Sequence, residues 1–363
     1  MSRFFSGKYA SLKAYVPGEQ PQDRKYIKLN TNESPFPPSP IAQRMAREEA
    51  GSLELYSDPA QRALREAASQ AYGLPAENIV FGNGSDEILS FAFAAFCDEE
   101  RPAVFADITY GFYRVFAEAN RVPWREIPLK EDFSLDAEDY VGAGGTVFIA
   151  NPNAPTGIAL PLSEIERIVA GNPGNVVVID EAYIDFGGES AVGLIKKYDN
   201  LLVVQTFSKS RSLAGGRLGM GFASKEIIND IDTLRFSANP YNVNRMTAAA
   251  GVGALADAGY LRFCTERIKA TREKTAAALA ALGFRLTDSS ANFLFAEHKD
   301  IGGRELYLAL KEKGILIRHF DAPRISERNR ITIGSEEEME AFVAAVAGIL
   351  EEKRAKKTGE ADR

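Results

Sequence analysis

Cysteine is nearly absent from this 363-residue chain: only Cys97 and Cys264 occur, with no CxxC pair. A disulfide framework and a thiolate metal site therefore have no support. Histidine is as scarce, with His298 and His319 too few and too scattered for a His-rich centre, so no metal is expected. Long hydrophobic runs are missing as well. The longest, near Ile88 to Cys97, falls far short of the ~20 residues that cross a bilayer. The opening Met-Ser-Arg-Phe-Phe-Ser-Gly has neither an apolar core nor a small-residue cleavage pattern, so no leader is expected. Positive charge is in deficit, with 43 Lys+Arg against 50 Asp+Glu and a net charge of −7. That argues against a dedicated nucleic-acid binder, which normally carries a basic stripe. It leaves an anionic small substrate open, because a site can be locally basic. The expectation is a reduced, cytoplasmic protein with neither membrane nor nucleic acid as partner.

What is present is ordinary globular composition, 45% hydrophobic and 26% charged, in a chain long enough for two or three domains around a large core. No repeat or low-complexity tract interrupts it. The stretch to Pro40 is rich in proline, which locks backbone angles and removes donors, so it is expected to be an extended arm. Its apolar punctuation, Tyr15, Ile27, Leu29 and Phe36, predicts that the arm packs on something. From residue 41 the pattern alternates. Helical periods cover 41–50, 61–72, 86–96, 112–120 and 163–170; short apolar runs cover 78–81, 102–106, 146–150, 175–180, 201–205 and 218–223. Apolar runs alternating with amphipathic segments predict a mostly parallel sheet covered by helices, an α/β fold. The last third differs, with one long helix expected over 247–282, strands near 292–296, 315–317 and 330–333, a helix at 304–313, a final helix over 336–353 and a polar, frayed tail from Lys356.

The chemistry-bearing residues sit where strands end. Thr206 and Ser208 precede a single Lys209, and Arg217 follows a Gly-rich turn. Ligands of parallel sheets bind outside the carboxyl ends of the strands. A lysine there can desolvate, lose its proton and form a Schiff base, while two hydroxyls and an arginine can hold a phosphate. A lone lysine is usually just exposed; its company here reverses that expectation. The apolar run ending at Asp180 places a carboxylate at the same edge, able to pair with a cationic ring nitrogen, to cap a helix or to bind a metal. Gly82-Asn-Gly-Ser85-Asp86 leads from a strand into a helix start that favours an anion, although Ser or Asp there is more often a cap. It matches neither GxGxxG nor the P-loop. Tyr110, just past another strand, can stack on a flat ring or simply fill the core. Asn151-Pro-Asn-Ala-Pro-Thr-Gly157 is a rigid loop at the same edge.

In this order the segments resemble the fold-type I pyridoxal-phosphate enzymes, and within them the histidinol-phosphate aminotransferases of class II. The likeness spans nearly the whole chain, from Lys28-Leu-Asn-Thr-Asn-Glu-Ser-Pro through Asp180-Glu-Ala-Tyr183, Ser208-Lys209 and Arg217 to Ser290-Ala-Asn-Phe and Arg330-Ile-Thr-Ile-Gly. It implies an arm over residues 1–40, a large cofactor domain over 41–245 with a mostly parallel sheet, and a smaller α+β domain over 246–363. It implies pyridoxal 5'-phosphate as cofactor. Lys209 would carry the cofactor and shuttle the proton, Asp180 would pair with the ring nitrogen, and Tyr183 would donate to the ring's phenolic oxygen. Tyr110 would stack on the ring. The N–H groups of Ser85 and Asp86, with Thr206, Ser208 and Arg217, would hold the phosphate, joined by Tyr56 from the neighbouring subunit of a homodimer. Arg330 would grip the substrate's anionic group, with Arg318 beside it and Asn32 also contributing. The implied reaction transfers an amino group between a phosphorylated amine, histidinol phosphate, and a 2-oxo acid, 2-oxoglutarate, in histidine biosynthesis.

One departure stands out. The family mostly has Asn before Pro-Thr-Gly, donating to the cofactor's phenolic oxygen; this chain has Ala154. Asn153 is the residue expected to supply the contact instead. Aromatic amino-acid transamination and decarboxylation of threonine phosphate are the rival activities on the same scaffold. A pyridoxal-phosphate-binding transcription regulator is disfavoured by the acidic charge.

Overall fold

The computed structural model describes residues 2–9, 12 and 14–361, with side chains described as far as residue 355. Met1, Ala10, Ser11 and Lys13 of the expected arm, and Asp362 and Arg363 of the expected tail, lie outside the described residues. In chain order the elements are β1 (Ile27–Leu29), α1 (Pro40–Glu49), α2 (Arg62–Tyr72), β2 (Ile79–Asn83), α3 (Ser85–Phe96), β3 (Ala103–Ala106), α4 (Phe112–Asn120), β4 (Trp124–Ile127), β5 (Thr146–Ala150), α5 (Leu162–Ala170), β6 (Val177–Asp180), β7 (Leu201–Thr206), β8 (Leu218–Ala223) and α6 (Lys225–Ala238). Then come α7 (Arg245–Ala256), α8 (Ala258–Ala281), β9 (Phe284–Leu286), β10 (Phe293–His298), α9 (Gly303–Glu312), β11 (Ile315–His319), β12 (Arg328–Thr332) and α10 (Glu336–Ala361).

Two sheets organise the chain. The larger has seven strands in the order β2-β8-β7-β6-β5-β3-β4, and only β8 runs against its neighbours. Alternation along each strand sends successive side chains to opposite faces. Val177, Ile179, Leu201 and Val203 therefore meet α1, α2, α5 and α7 on one face. Val178, Leu202, Val204 and Phe148 meet α3, α4 and α6 on the other. Both faces are dry, and for that reason these strands read as unbroken apolar runs rather than as alternation.

The smaller sheet has the order β1-β11-β12-β10-β9 and is antiparallel except where β1 runs parallel to β11. Its core joins Leu294, Ile317 and Ile331 to Ile268 of α8, Leu306 of α9 and Phe342 of α10. The arm is thus tied down, with Leu29 of β1 fully buried in this core.

Some expectations need correction. The single helix over 247–282 is two helices. Asp257 leaves the helical region (φ −105°, ψ 60°) and its carboxylate accepts the Tyr260 N–H, so the second helix starts from a side-chain cap. An Ala-rich period continues through such a break undisturbed. The first of these helices, α7, buries Ala250 and Ala254 in the core of the larger sheet, although a boundary at 246 assigns it to the small domain. The final helix continues past Lys353 to Ala361 instead of ending in an irregular tail. The strands β1, β4 and β9 and the helix α6 carry too short or too mixed a pattern and have no counterpart in the sequence reading.

Candidate active site

The strands β2, β3, β5, β6 and β7 are mutually parallel, so their carboxyl ends form one edge. The chain moves outward from β3 to β4, returns to β5, and then moves the other way through β6 and β7. That reversal opens a crevice between β3 and β5. A cavity of about 390 Å³ lies at this edge, floored by Ala150, Asp180 and Thr206.

At the mouth of β2, Gly84 adopts φ +81° and hands the chain to α3 without a side-chain cap. A Cβ on Gly84 would stand 2.5 Å from Arg217 Nη2, so glycine is required for the guanidinium to lie across the helix start. Ser85 and Asp86, the first two residues of α3, line the cavity, so the positive end of the helix dipole lies at its wall. Arg217 Nη2 donates to Asp86 Oδ2 at 3.1 Å, and the Tyr110 hydroxyl donates to Asp86 Oδ1 at 2.7 Å. Thr206 Oγ1 and Ser208 Oγ pair at 3.0 Å on the cavity wall.

Asp180 is buried at the opposite end. Its Oδ2 accepts the Tyr113 hydroxyl at 3.0 Å, while Oδ1 is buried with no hydrogen-bond partner. Burial pushes its carboxyl up to about 7 against the pull of Tyr113. Lys209 reaches into the same space. Its Nζ donates to the Thr31 carbonyl at 3.2 Å and stands 5.9 Å from the centre of the Tyr183 ring. Burial first, and the Arg330 charge second, bring the amine down to about 8. The Tyr183 hydroxyl accepts from Asn32 Nδ2 at 2.9 Å.

The cavity therefore offers an unpaired carboxylate oxygen at one end, anion donors at the other and a depressed lysine between them. These features fit the expected cofactor, which carries a basic ring nitrogen and a phosphate at opposite ends. A second cavity of about 470 Å³ adjoins the first and shares Tyr110, Ala154 and Tyr183 with it. Tyr15, Phe320, Arg318 and Arg330 wall it. Arg330 donates to the Asn30 carbonyl at 3.1 Å, while its Nε is buried without a hydrogen-bond partner. Arg318 faces Arg330 across β11 and β12 and donates to the Val16 and Pro17 carbonyls of the arm, each at 3.2 Å.

Three expected site residues do not line these cavities. Asn153 is spent elsewhere: its amide donates to the Ile108 carbonyl and Thr156 Oγ1, and its oxygen accepts from Thr109. It lines a separate cavity of about 300 Å³ behind the loop rather than the one that Ala154 lines. Asn32 is buried behind Tyr183, with Thr332 Oγ1 donating to its oxygen at 2.9 Å. It touches the site only through the tyrosine hydroxyl. Tyr56 lies in neither cavity; it is 78% exposed and stacks on Tyr241 at 4.4 Å. Tyr113, the donor to Asp180, was not singled out by sequence. Its position three residues after Tyr110, on the first turn of α4, is the only signal for it.

The aminotransferase class I and II family model matches residues 24–346. The chain belongs to this family. Among its relatives is the histidinol-phosphate aminotransferase of Brachyspira hyodysenteriae, 47% identical over 96% of this chain and 99% of that protein. That of Marinomonas sp. is 49% identical over 95% and 99%. Solved aminotransferases share the fold. The histidinol-phosphate aminotransferase of Clostridium acetobutylicum superposes with a TM-score of 0.82 at 26% identity, covering 89% of this chain and 98% of that one. The Sinorhizobium meliloti enzyme, solved in complex with pyridoxal-5'-phosphate, gives 0.87 at 24% identity over 97% and 99%. Among the described residues of this aminotransferase, no group of three or more His, Cys, Asp and Glu side chains is placed to hold a metal, and no helix is long and apolar enough to cross a membrane.

Proposed function

We propose that this aminotransferase exchanges the amino group of L-histidinol phosphate with 2-oxoglutarate, giving imidazole acetol phosphate and L-glutamate for histidine biosynthesis in the cytoplasm. The observation that carries the reading is the buried pair of Lys209 and Asp180 across one cavity that adjoins a second, arginine-walled one. Relatives of that name, 47% and 49% identical over almost the full length, support the substrate.

Pyridoxal phosphate, when bound, supplies an electron sink for the substrate carbon that loses its proton. The chain's own residues do the rest. Asp180, whose Oδ1 is buried without a partner, would pair with the protonated ring nitrogen, and that ion pair would offset the cost of burying the carboxylate. Ser85, Asp86, Thr206, Ser208 and Arg217 hold the phosphate by hydrogen bonds. Tyr110 and Tyr183 line the same cavity and would stack on the ring and donate to its phenolic oxygen. Lys209 would hold the cofactor and move the proton at Nζ, and burial, which lowers its amine to about 8 in the cofactor-free chain, favours the neutral form that can accept a proton. Arg330 and Arg318 take the substrate's anionic group, phosphate or carboxylate, which a planar guanidinium suits equally. Two copies form the working unit, with Tyr56 reaching the phosphate of the neighbouring site.

The test is the visible absorbance of the purified holoenzyme after adding histidinol phosphate without an acceptor. Bleaching, with none from phenylalanine at equal concentration, is the expected result. Bleaching by phenylalanine alone would move the assignment to aromatic transamination, and release of CO₂ from threonine phosphate would move it to decarboxylation.

A further inference from the structure

Behind the site lies a buried polar network that the reaction itself does not use. Glu181 follows Asp180 in the chain and faces the other way. Its carboxylate accepts from Ser190 Oγ and the Ala191 N–H, both at 2.6 Å, and from Gln205 Nε2 at 2.8 Å. Gln205 Oε1 accepts the Tyr72 hydroxyl at 2.7 Å, and that hydroxyl accepts Arg211 Nη2 at 3.0 Å. Arg211 Nη1 then donates to Asp185 Oδ2 at 3.1 Å, and the Ser210 hydroxyl donates to the same oxygen. The Arg211 side chain is 6% exposed and its Nε has no hydrogen-bond partner, and among the described residues Asp185 is the carboxylate that pairs with it.

The spacing of this network is informative. Asp180 is followed by Glu181, Tyr183 two residues later by Asp185, and Lys209 by Ser210 and Arg211. Each of the three side chains aimed into the cavity is thus backed, within two residues, by a member of one continuous network. At the Asp185 carboxylate the Tyr183 turn and the Lys209 loop are joined directly. Burying a guanidinium is costly, and the Phe207 ring 5.2 Å from the Arg211 Cζ offsets only part of it. Its return is that one carboxylate, held by two donors from a single loop, leaves that loop little freedom.

Resting on the reading of Lys209 and Tyr183 above, we infer that Asp185 is a positioning residue that clamps the Tyr183 turn to the Lys209 loop through Ser210 and Arg211, setting the separation between the Lys209 amine and the Tyr183 hydroxyl. The charges that act on Lys209 include Arg330, Glu33, Asp86, Arg217 and Asp180, and Asp185 acts through geometry rather than as one of them.

The experiment uses the wild-type holoenzyme, Asp185→Asn and Ser210→Ala. Borohydride reduction of the wild type, locking the cofactor onto Lys209, tests the underlying reading; if no cofactor is fixed there, that reading falls and this inference with it. Given fixation, the pH titration of the cofactor's visible absorbance tests the clamp. Asp185→Asn is expected to raise the midpoint by about half a unit or more, because a displaced Tyr183 no longer stabilises the negative oxygen it faces. It is expected to lower kcat about tenfold while KM changes less than about twofold, since the loss is of alignment and not of substrate contacts. Ser210→Ala, which keeps the ion pair, should shift the midpoint the same way by less, and it decides the question if the Asn variant does not fold. Folded variants with an unmoved midpoint would overturn the inference.

Discussion

Asp180 and Lys209 are both displaced toward their neutral forms, and the sign of each displacement makes a prediction for the protein without its cofactor. Asp180 moves from 3.8 to about 7, and Glu181 beside it from 4.5 to about 7, both through burial. Between those limits the folded chain holds protons that the unfolded chain has released, so stability falls as pH rises through that window. Lys209 moves from 10.5 down to about 8, so between 8 and 10.5 the unfolded chain holds the extra proton and stability rises with pH. Denaturant midpoints across the pH range should show a decline from about pH 4 to 7, flattened in Asp180→Asn. An undiminished slope in that variant would count against the assignment. A ring cation opposite Asp180 would remove its share of the decline. At this scale Ala154 also has its account: it is buried between the two cavities, and its neighbour Asn153 is committed to the loop beneath.

At the scale of elements, the helix contact that fixes α1 over the larger sheet is made by small residues. A Cβ on Gly253 of α7 would stand 2.7 Å from the Ala42 Cα and 2.8 Å from its N. Those are backbone atoms of α1 and cannot swing aside as a flexible side chain would. Gly253→Ala therefore has to push two helices apart, overriding alanine's better helix propensity. The expected cost is about 1–3 kcal/mol in chemical denaturation; a variant as stable as the parent would show that α1 moves freely. The break between α7 and α8 at Asp257 belongs to the same scale. It separates a helix packed in the larger sheet's core from one packed on the smaller sheet, and we propose it as the domain boundary.

For the molecule as a whole, the proposed homodimer explains an otherwise odd surface. Leu53, Leu55, Tyr56 and Tyr241 are all exposed near one another in chain or by stacking, and soluble surfaces rarely leave such groups together unless they meet a partner. The solution mass should be twice 39.6 kDa. If Tyr56 serves the neighbouring site, mixing dissociated Lys209→Ala and Tyr56→Ala subunits creates hybrids with one intact site of two. Random pairing then predicts about a quarter of wild-type activity, above either parent. No gain on mixing would place Tyr56 in its own subunit's service.

Six of the seven strands of the larger sheet were legible because a strand buried on both faces must be apolar throughout, whereas the edge strand β4 is half exposed and gave no such run; residues next to the legible strands could be singled out because parallel strands present their carboxyl ends together. Lys209, Asp180, Tyr110, Ser85 and Arg217 follow from that logic without any coordinates. The side-chain partnerships do not. Whether Asn153 turns into the cavity or under the loop, whether Asn32 meets substrate or Tyr183, and whether Tyr113 finds Asp180 depend on segments brought together from distant parts of the chain. The clamp at Asp185 is of the same kind, joining a turn to a loop 25 residues away in sequence. Local patterning is set by burial period and turn chemistry, which adjacent residues carry; hydrogen-bond pairing is set by packing, which only the folded chain decides.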